Sequence, residues 1–319
     1  MEPYRIDVHH HILPKEYVQA LDSIGASNSG GASLPTWSLD AALALMDNQG
    51  IATAITSISS PGVYFGDINF ARDLARRCNE ISARLISDNP RRFGALALLP
   101  LPDVDAALEE ISYALDTLKL DGVILLASYG DQYLGDSAFD EVFAELHRRK
   151  ATVLLHPTTP PGSDVPKLKL PPFIVEFVFD TTRAVANLIY NGTLERYPDI
   201  SIIVSHAGGT VPYLAQRFAI APEIIPELGE RAPQGAIAYL KRLYYDTAIS
   251  ATPHALRSLQ ELVEPTQILF GSDYPYMQEH FIEKSIQELA AYDGFNNDDR
   301  QLIERDNALK VFPRLRTET

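Results

Sequence analysis

YRIDVHHH, residues 4–11, is the stretch on which the reading of this chain turns. The run Tyr4–His9 predicts a short strand, and it leads into Asp7-Val8-His9-His10-His11. Side chains alternate along a strand. His9 and His11 therefore share a direction, and His10 points elsewhere. Two imidazoles two residues apart can grip one divalent ion, at about 2.0–2.1 Å for zinc. A solitary histidine more often satisfies a core or surface hydrogen bond, but Asp-x-His-x-His at a strand end is a more specific signal.

Working outward, the strand theme recurs seven times: Ile51–Ile58, Phe93–Leu99, Gly122–Leu126, Thr152–His156, Ile200–Ser205, Leu243–Thr247 and Gln267–Gly271. Most are continuous apolar runs (ALALL, GVILL, TVLLH, SIIVS, QILFG), as expected of parallel strands buried on both faces. Helical patterns follow or separate them: Leu39–Asn48, Phe70–Asp88, Val104–Leu118, Ser137–Arg149, Phe173–Tyr190, Thr210–Ala219, Pro253–Val263 and Glu279–Tyr292. Ser38 reads as an N-cap, and Asp103-Val104-Asp105 opens another helix with acids in its first turn. Eight strands alternating with helices predict a (β/α)8 barrel, taken as one domain over residues 1–319. An open doubly wound sheet is the alternative, but neither GxGxxG nor GxxxxGK[ST] occurs.

Charge and cysteine content narrow the function. Lys and Arg number 27 against 42 Asp and Glu, a net charge of −15, which argues against a general nucleic-acid binder. Cys78 is alone, which excludes an internal disulfide or a CxxC site. No run reaches the roughly 20 apolar residues of a membrane span, and residues 1–11 lack a secretory pattern, so the expected location is cytoplasmic. No GxSxG elbow occurs, and Cys78 lies in a helical pattern without an obvious base, so nucleophilic catalysis has little support.

Three more strand ends carry metal-competent groups: His156 (VLLHP), His206 (IIVSHAGG) and Asp273 (ILFGSDYP). A barrel places its chemistry just past such ends. Each alone could cap a helix or bond a carbonyl; together with His9 and His11 they form a constellation. Asp246, ending the seventh strand, reads either as a support for that site or as a cap, and His10 as a structural neighbour. His147, His254 and His280 lie in helical patterns and read as surface residues. Two loops stand out, Gly25–Ser38 and the proline-rich Pro157–Pro172; both are candidate pocket walls or tolerated surface insertions. Trp37, Tyr64, Phe65 and Tyr276 are candidates to face an aromatic substrate, or else pack the loops.

The set DVHHH (7–11), LLHP (154–157), VSHAGGTVPYLAQR (204–217) and FGSDYPY (270–276) resembles the amidohydrolase superfamily, and within it the amidohydrolase-related decarboxylases. The likeness covers nearly the whole chain. Residues 50–67, 89–111 and 121–143 are most similar to the 6-methylsalicylate decarboxylase branch. The resemblance implies a barrel of the metal-dependent hydrolase type, with one divalent metal held by His9, His11, His156 and Asp273. It implies His206 as a catalytic histidine outside the ligand set. It also implies that Arg217 meets a substrate carboxylate in a neighbouring subunit's site, and hence a homodimer. A histidine rather than a glutamate at position 9 favours zinc, with manganese the alternative. Ala221, where some relatives carry a further arginine, favours a monocarboxylate. Leu125-Leu126-Ala127 offers no lysine for a dinuclear centre.

The implied reaction is non-oxidative decarboxylation of a small hydroxyaromatic acid such as 6-methylsalicylate. Protonating the ring carbon first avoids an undelocalised carbanion, and Asp273 and His206 are expected to share that task. A metal-dependent hydrolase of a lactone or related ester would use the same groups. A non-catalytic scaffold is the weakest reading, because all five groups are present.

Overall fold

Continuous apolar runs can satisfy their backbone only by pairing on both edges, and here they do so in a ring. The computed structural model describes residues 4–162 and 168–316. Eight strands pair in chain order: β1 (Arg5–His11), β2 (Ile51–Ser57), β3 (Phe93–Leu98), β4 (Gly122–Leu126), β5 (Thr152–His156), β6 (Ser201–Val204), β7 (Tyr244–Asp246) and β8 (Ile268–Leu269). Every neighbouring pair is parallel. The last strand meets the first through Val8 N–H to Phe270 O (2.9 Å), Asp273 N–H to His9 O (2.8 Å) and His11 N–H to Tyr274 O (2.6 Å). The architecture is the (β/α)8 barrel that the alternation predicts.

Strand limits differ from expectation at both ends of the chain. β1 runs on through His11, because Tyr274 pairs beside it. β7 and β8 shrink to Tyr244–Asp246 and Ile268–Leu269, since the apolar runs continue past the last ladder bond into the loops that carry the site.

All of β3, β4 and β5 is buried, between a packed barrel interior and the surrounding helices. The expected caps form. Ser38 accepts a hydrogen bond from Ala41 N at the start of Leu39–Asn48, and Asp103 accepts one from Ala106 N at the start of Val104–Ser112. The helix Lys15–Ser23 has no counterpart in the sequence reading; it lacks a side-chain cap and buries only Tyr17 and Leu21.

Loop 25–38 forms a small hairpin, Asn28–Ser29 against Ala32–Ser33, that docks on the helix Pro172–Tyr190. Phe173 N–H donates to Gly30 O (3.3 Å). Gly30 has φ +55°, and a Cβ there would lie 2.7 Å from the Phe177 ring, so the contact requires glycine twice over. In the second loop, residues 163–167 lie outside the described residues, as do residues 1–3 and 317–319 of the expected domain. Among the described residues, no helix is long and apolar enough to cross a membrane.

Candidate metal centre

Five side chains converge at the C-terminal mouth of the barrel. His9 Nε2 and His11 Nε2 are 3.0 Å apart. Asp273 Oδ1 lies 3.4 Å from the first and 3.2 Å from the second. One ligand atom each from His9, His156, His206 and Asp273 fall within 4.8 Å of one another. The His156 ring stands edge-on to those of His9 and His11, at 5.2 and 5.0 Å between centroids. All five residues are buried.

Local backbone makes this convergence possible. A Cβ at Gly271 would sit 2.8 Å from the His9 Cβ, so only glycine lets the segment between β8 and Asp273 close against β1. His206 and Asp273 both hold left-handed backbone, φ 55° and 61°, a conformation that costs energy in non-glycine residues and gathers at functional sites. Gly209, with φ +63°, lets the turn after His206 pack on the helix behind it; a Cβ there would lie 2.2 Å from Val178 O.

Each proposed ligand ring is fixed by its other nitrogen. His9 Nδ1 lies 2.8 Å from Asp246 Oδ2, His11 Nδ1 2.9 Å from Ser57 Oγ, and His156 Nδ1 2.7 Å from Pro157 O. Such partners orient a metal-binding imidazole and set its tautomer. Asp246 does more than the sequence suggests, because its Oδ1 also accepts from His206 N and Ala248 N, both at 3.0 Å. His10 turns away and pairs with Asp7 at 3.0 Å, and Asp7 also holds Ser272.

The electrostatics fit a cation. Burial lowers the pKa of His11 to about 4 and that of His156 well below its ordinary value, so both are neutral donors. Burial also opposes a charge on His9, but Asp246 and Asp273 outweigh it and push its pKa up to about 10. Burial would raise Asp273, yet the imidazoles of His9, His11 and His206 hold it well below the carboxylate range. Its Oδ1, and both ring nitrogens of His206, make no hydrogen bond. The neutral imidazoles of His11 and His156, a carboxylate kept ionised and orphaned polar atoms between them suit one divalent ion, whose charge would take the place of the proton on His9.

A model of the family described as "Amidohydrolase" matches residues 6–314. The chain belongs to the amidohydrolase family. It is 38% identical to a 6-methylsalicylic acid decarboxylase of Penicillium expansum, over 98% of this chain and 97% of that protein. A solved structure described as an amidohydrolase II superposes with TM-score 0.91 and 30% identity, over 97% of this chain and 99% of that one. A 5-carboxyvanillate decarboxylase of Novosphingobium aromaticivorans, crystallised with manganese and a nitrobenzoic acid, shares the fold at TM-score 0.86 and 23% identity, over 97% of this chain and 96% of that one.

In this amidohydrolase the converging groups open into a cavity of about 570 Å³. His156, His206 and Asp273 line it, together with Ser29, Ala32, Ser33 and Pro35 of the first loop. Tyr276 also lines it, with its ring 5.4 Å from that of His11. The other residues expected at the substrate lie elsewhere. Trp37 and Tyr64 pack against the core, Phe65 packs edge-on against Phe70, and Arg217 is exposed on the helix Val211–Ile224. Ser57 and Ser59 carry no motif of their own; the serine-rich run TSISS (56–60), at and just past the end of β2, is the available signal in the sequence.

Proposed function

We propose that this amidohydrolase is a metal-dependent, non-oxidative decarboxylase of a small hydroxyaromatic acid, with 6-methylsalicylate the first candidate. The observation that carries the reading is the buried cluster of His9, His156, His206 and Asp273, with His11 beside His9 and Asp273, opening on a cavity with mainly apolar walls. The 38% identity to a 6-methylsalicylic acid decarboxylase over nearly the full length of both chains supports it.

His9, His11, His156 and Asp273 are the proposed ligands. A bound divalent ion supplies positive charge to a carboxylate and an ortho oxygen; zinc is favoured by the imidazole-rich set, and manganese is the alternative. His206 Nε2 stands 3.5 Å from Asp273 Oδ2, so a small shift of the ring would bring the two within reach for transfer of a proton. Delivered to the ring carbon that bears the carboxylate, that proton forms a C–H bond. The C–CO2 bond then breaks, its electron pair restores the aromatic ring, and CO2 leaves.

The reading includes a homodimer. The helix bearing Arg217 exposes Tyr213 (83%) and Ile224 (73%), an apolar face suited to burial against a second copy. A partner's arginine could then reach a substrate carboxylate. Light scattering at micromolar concentration should give twice the 35.3 kDa chain mass.

The decisive experiment measures CO2 release by zinc- and manganese-loaded protein from 6-methylsalicylate, salicylate, γ-resorcylate and 2,3-dihydroxybenzoate. Metal-dependent release from at least one acid is expected. No release from any, with metal content verified, would overturn the decarboxylase reading and make lactones the next panel.

A further inference from the structure

Three serines follow one another closely at the end of β2, and two of them have defined partners. Ser57 Oγ holds His11 Nδ1. Ser60 pairs through its hydroxyl with Thr158 Oγ1 (3.2 Å), and its carbonyl accepts from the Tyr276 hydroxyl (3.1 Å). Ser59 lies between them and lines the cavity. It is 2% exposed, and its Oγ makes no hydrogen bond. The Tyr276 hydroxyl interacts with it electrostatically but gives its own hydrogen to the Ser60 carbonyl, and no well-formed hydrogen bond reaches the Ser59 Oγ. A buried hydroxyl left unpaired costs stability, so a polar atom held this way beside a binding cavity points to a ligand.

The rest of the cavity sharpens the point. No lysine or arginine of this chain lines it among the described residues. Ser29, Ser59 and Tyr276 place hydroxyls in its lining. Phe173, Ile174, Phe177, Val178, Ile249 and Met277 supply an apolar surface. Ile249 is kept in that lining at φ 55°, unusual for a β-branched residue. The cavity is therefore provided for a molecule with oxygen on one part of its edge and carbon on another.

We propose that Ser59 is a substrate-binding residue that donates its hydroxyl to a charged oxygen of a bound aromatic acid, while the acid's apolar substituent rests on the Phe173–Val178 surface. The lining fits an aromatic monocarboxylate that bears an apolar substituent. This rests on the proposed function for the kind of ligand, and on the unpaired hydroxyl for the contact.

The test is equilibrium binding of salicylate and 6-methylsalicylate to zinc-loaded protein by titration calorimetry, for the parent chain, Ser59→Ala and Ser59→Thr. Zinc content is measured in each. Loss of a hydrogen bond to a charged oxygen should weaken both acids about tenfold in Ser59→Ala, with zinc retained. Ser59→Thr keeps the hydroxyl and should recover binding to within about threefold. In turnover the deficit should fall on KM rather than kcat.

Unchanged affinity in Ser59→Ala overturns the inference, as does equal loss in the alanine and threonine variants, which would mark a packing role. Failure of the parent chain to bind either acid overturns it too. If the parent binds these acids but releases no CO2 from any of them, the decarboxylase reading fails and the Ser59 comparison still stands or falls by the affinities.

Discussion

The ends of β1 and β6 face each other across the barrel mouth and are held in opposite ways. At β1 the rings are tied. His9 is bonded to Asp246, His11 to Ser57 and His10 to Asp7. At β6 the backbone is tied and the ring is not: His206 N–H donates to Asp246, while neither ring nitrogen has a hydrogen-bond partner. A metal ligand needs one tautomer and one direction. A group that moves protons needs a free nitrogen and freedom to exchange. The two ends share the carboxylate of Asp246, and in the proposed function they take these two different tasks.

The largest effect should come from breaking the tied side. His11→Ala removes a proposed ligand, and zinc content should fall well below one per chain with turnover lost. Retention of stoichiometric metal with full activity would remove His11 from the ligand set. Next is the free side. His206→Asn suits the left-handed backbone at that position and should keep the metal while lowering kcat about a hundredfold or more. An unchanged rate would end its proposed role in proton delivery.

Asp246→Asn probes the residue that both ends share. Its remaining oxygen can still accept from His206 N and Ala248 N, but its amide would donate toward His9 Nδ1. His9 would then carry its proton on Nε2, where the metal should bind. Metal affinity should fall about ten- to a hundredfold, measured by competition with a chelator; an unchanged affinity would show that the tautomer of His9 does not matter.

The smallest effect concerns β5, whose turn is supported from further away. Asp180 is buried and accepts from Thr158 N (2.9 Å) and the Tyr133 hydroxyl (2.8 Å), and burial raises its pKa to about 6. The folded state therefore favours the protonated form, and that contribution is lost as pH rises from about 4 through 6. The melting temperature of Asp180→Asn relative to the parent should shift in the variant's favour by a few degrees between pH 4 and 7. A constant difference would mean that Asp180 does not titrate there.

Much of this was legible in the chain. Continuous apolar runs mark parallel strands because both faces are covered, so all eight barrel strands could be found. Histidine and aspartate just past such runs mark a barrel mouth, because that is where strands release their side chains into open space. The supports were less legible. Asp246 lies 237 positions from the ring it orients, and no local pattern records that meeting. Loop aromatics were harder still. Distance along the chain from a strand end does not fix direction, so Tyr276 reaches the cavity while Trp37, Tyr64 and Phe65 do not line it.

The seam where β8 returns to β1 has one more consequence. The bonds that complete the ring, Asp273 N–H to His9 O and His11 N–H to Tyr274 O, lie on the same residues that would hold the ion. The centre exists only when positions about 265 apart in the sequence have met, and such distant contacts are slow to form in folding. Metal uptake would therefore report that the chain has finished folding: a clasp that fastens only when both ends of the belt are in place.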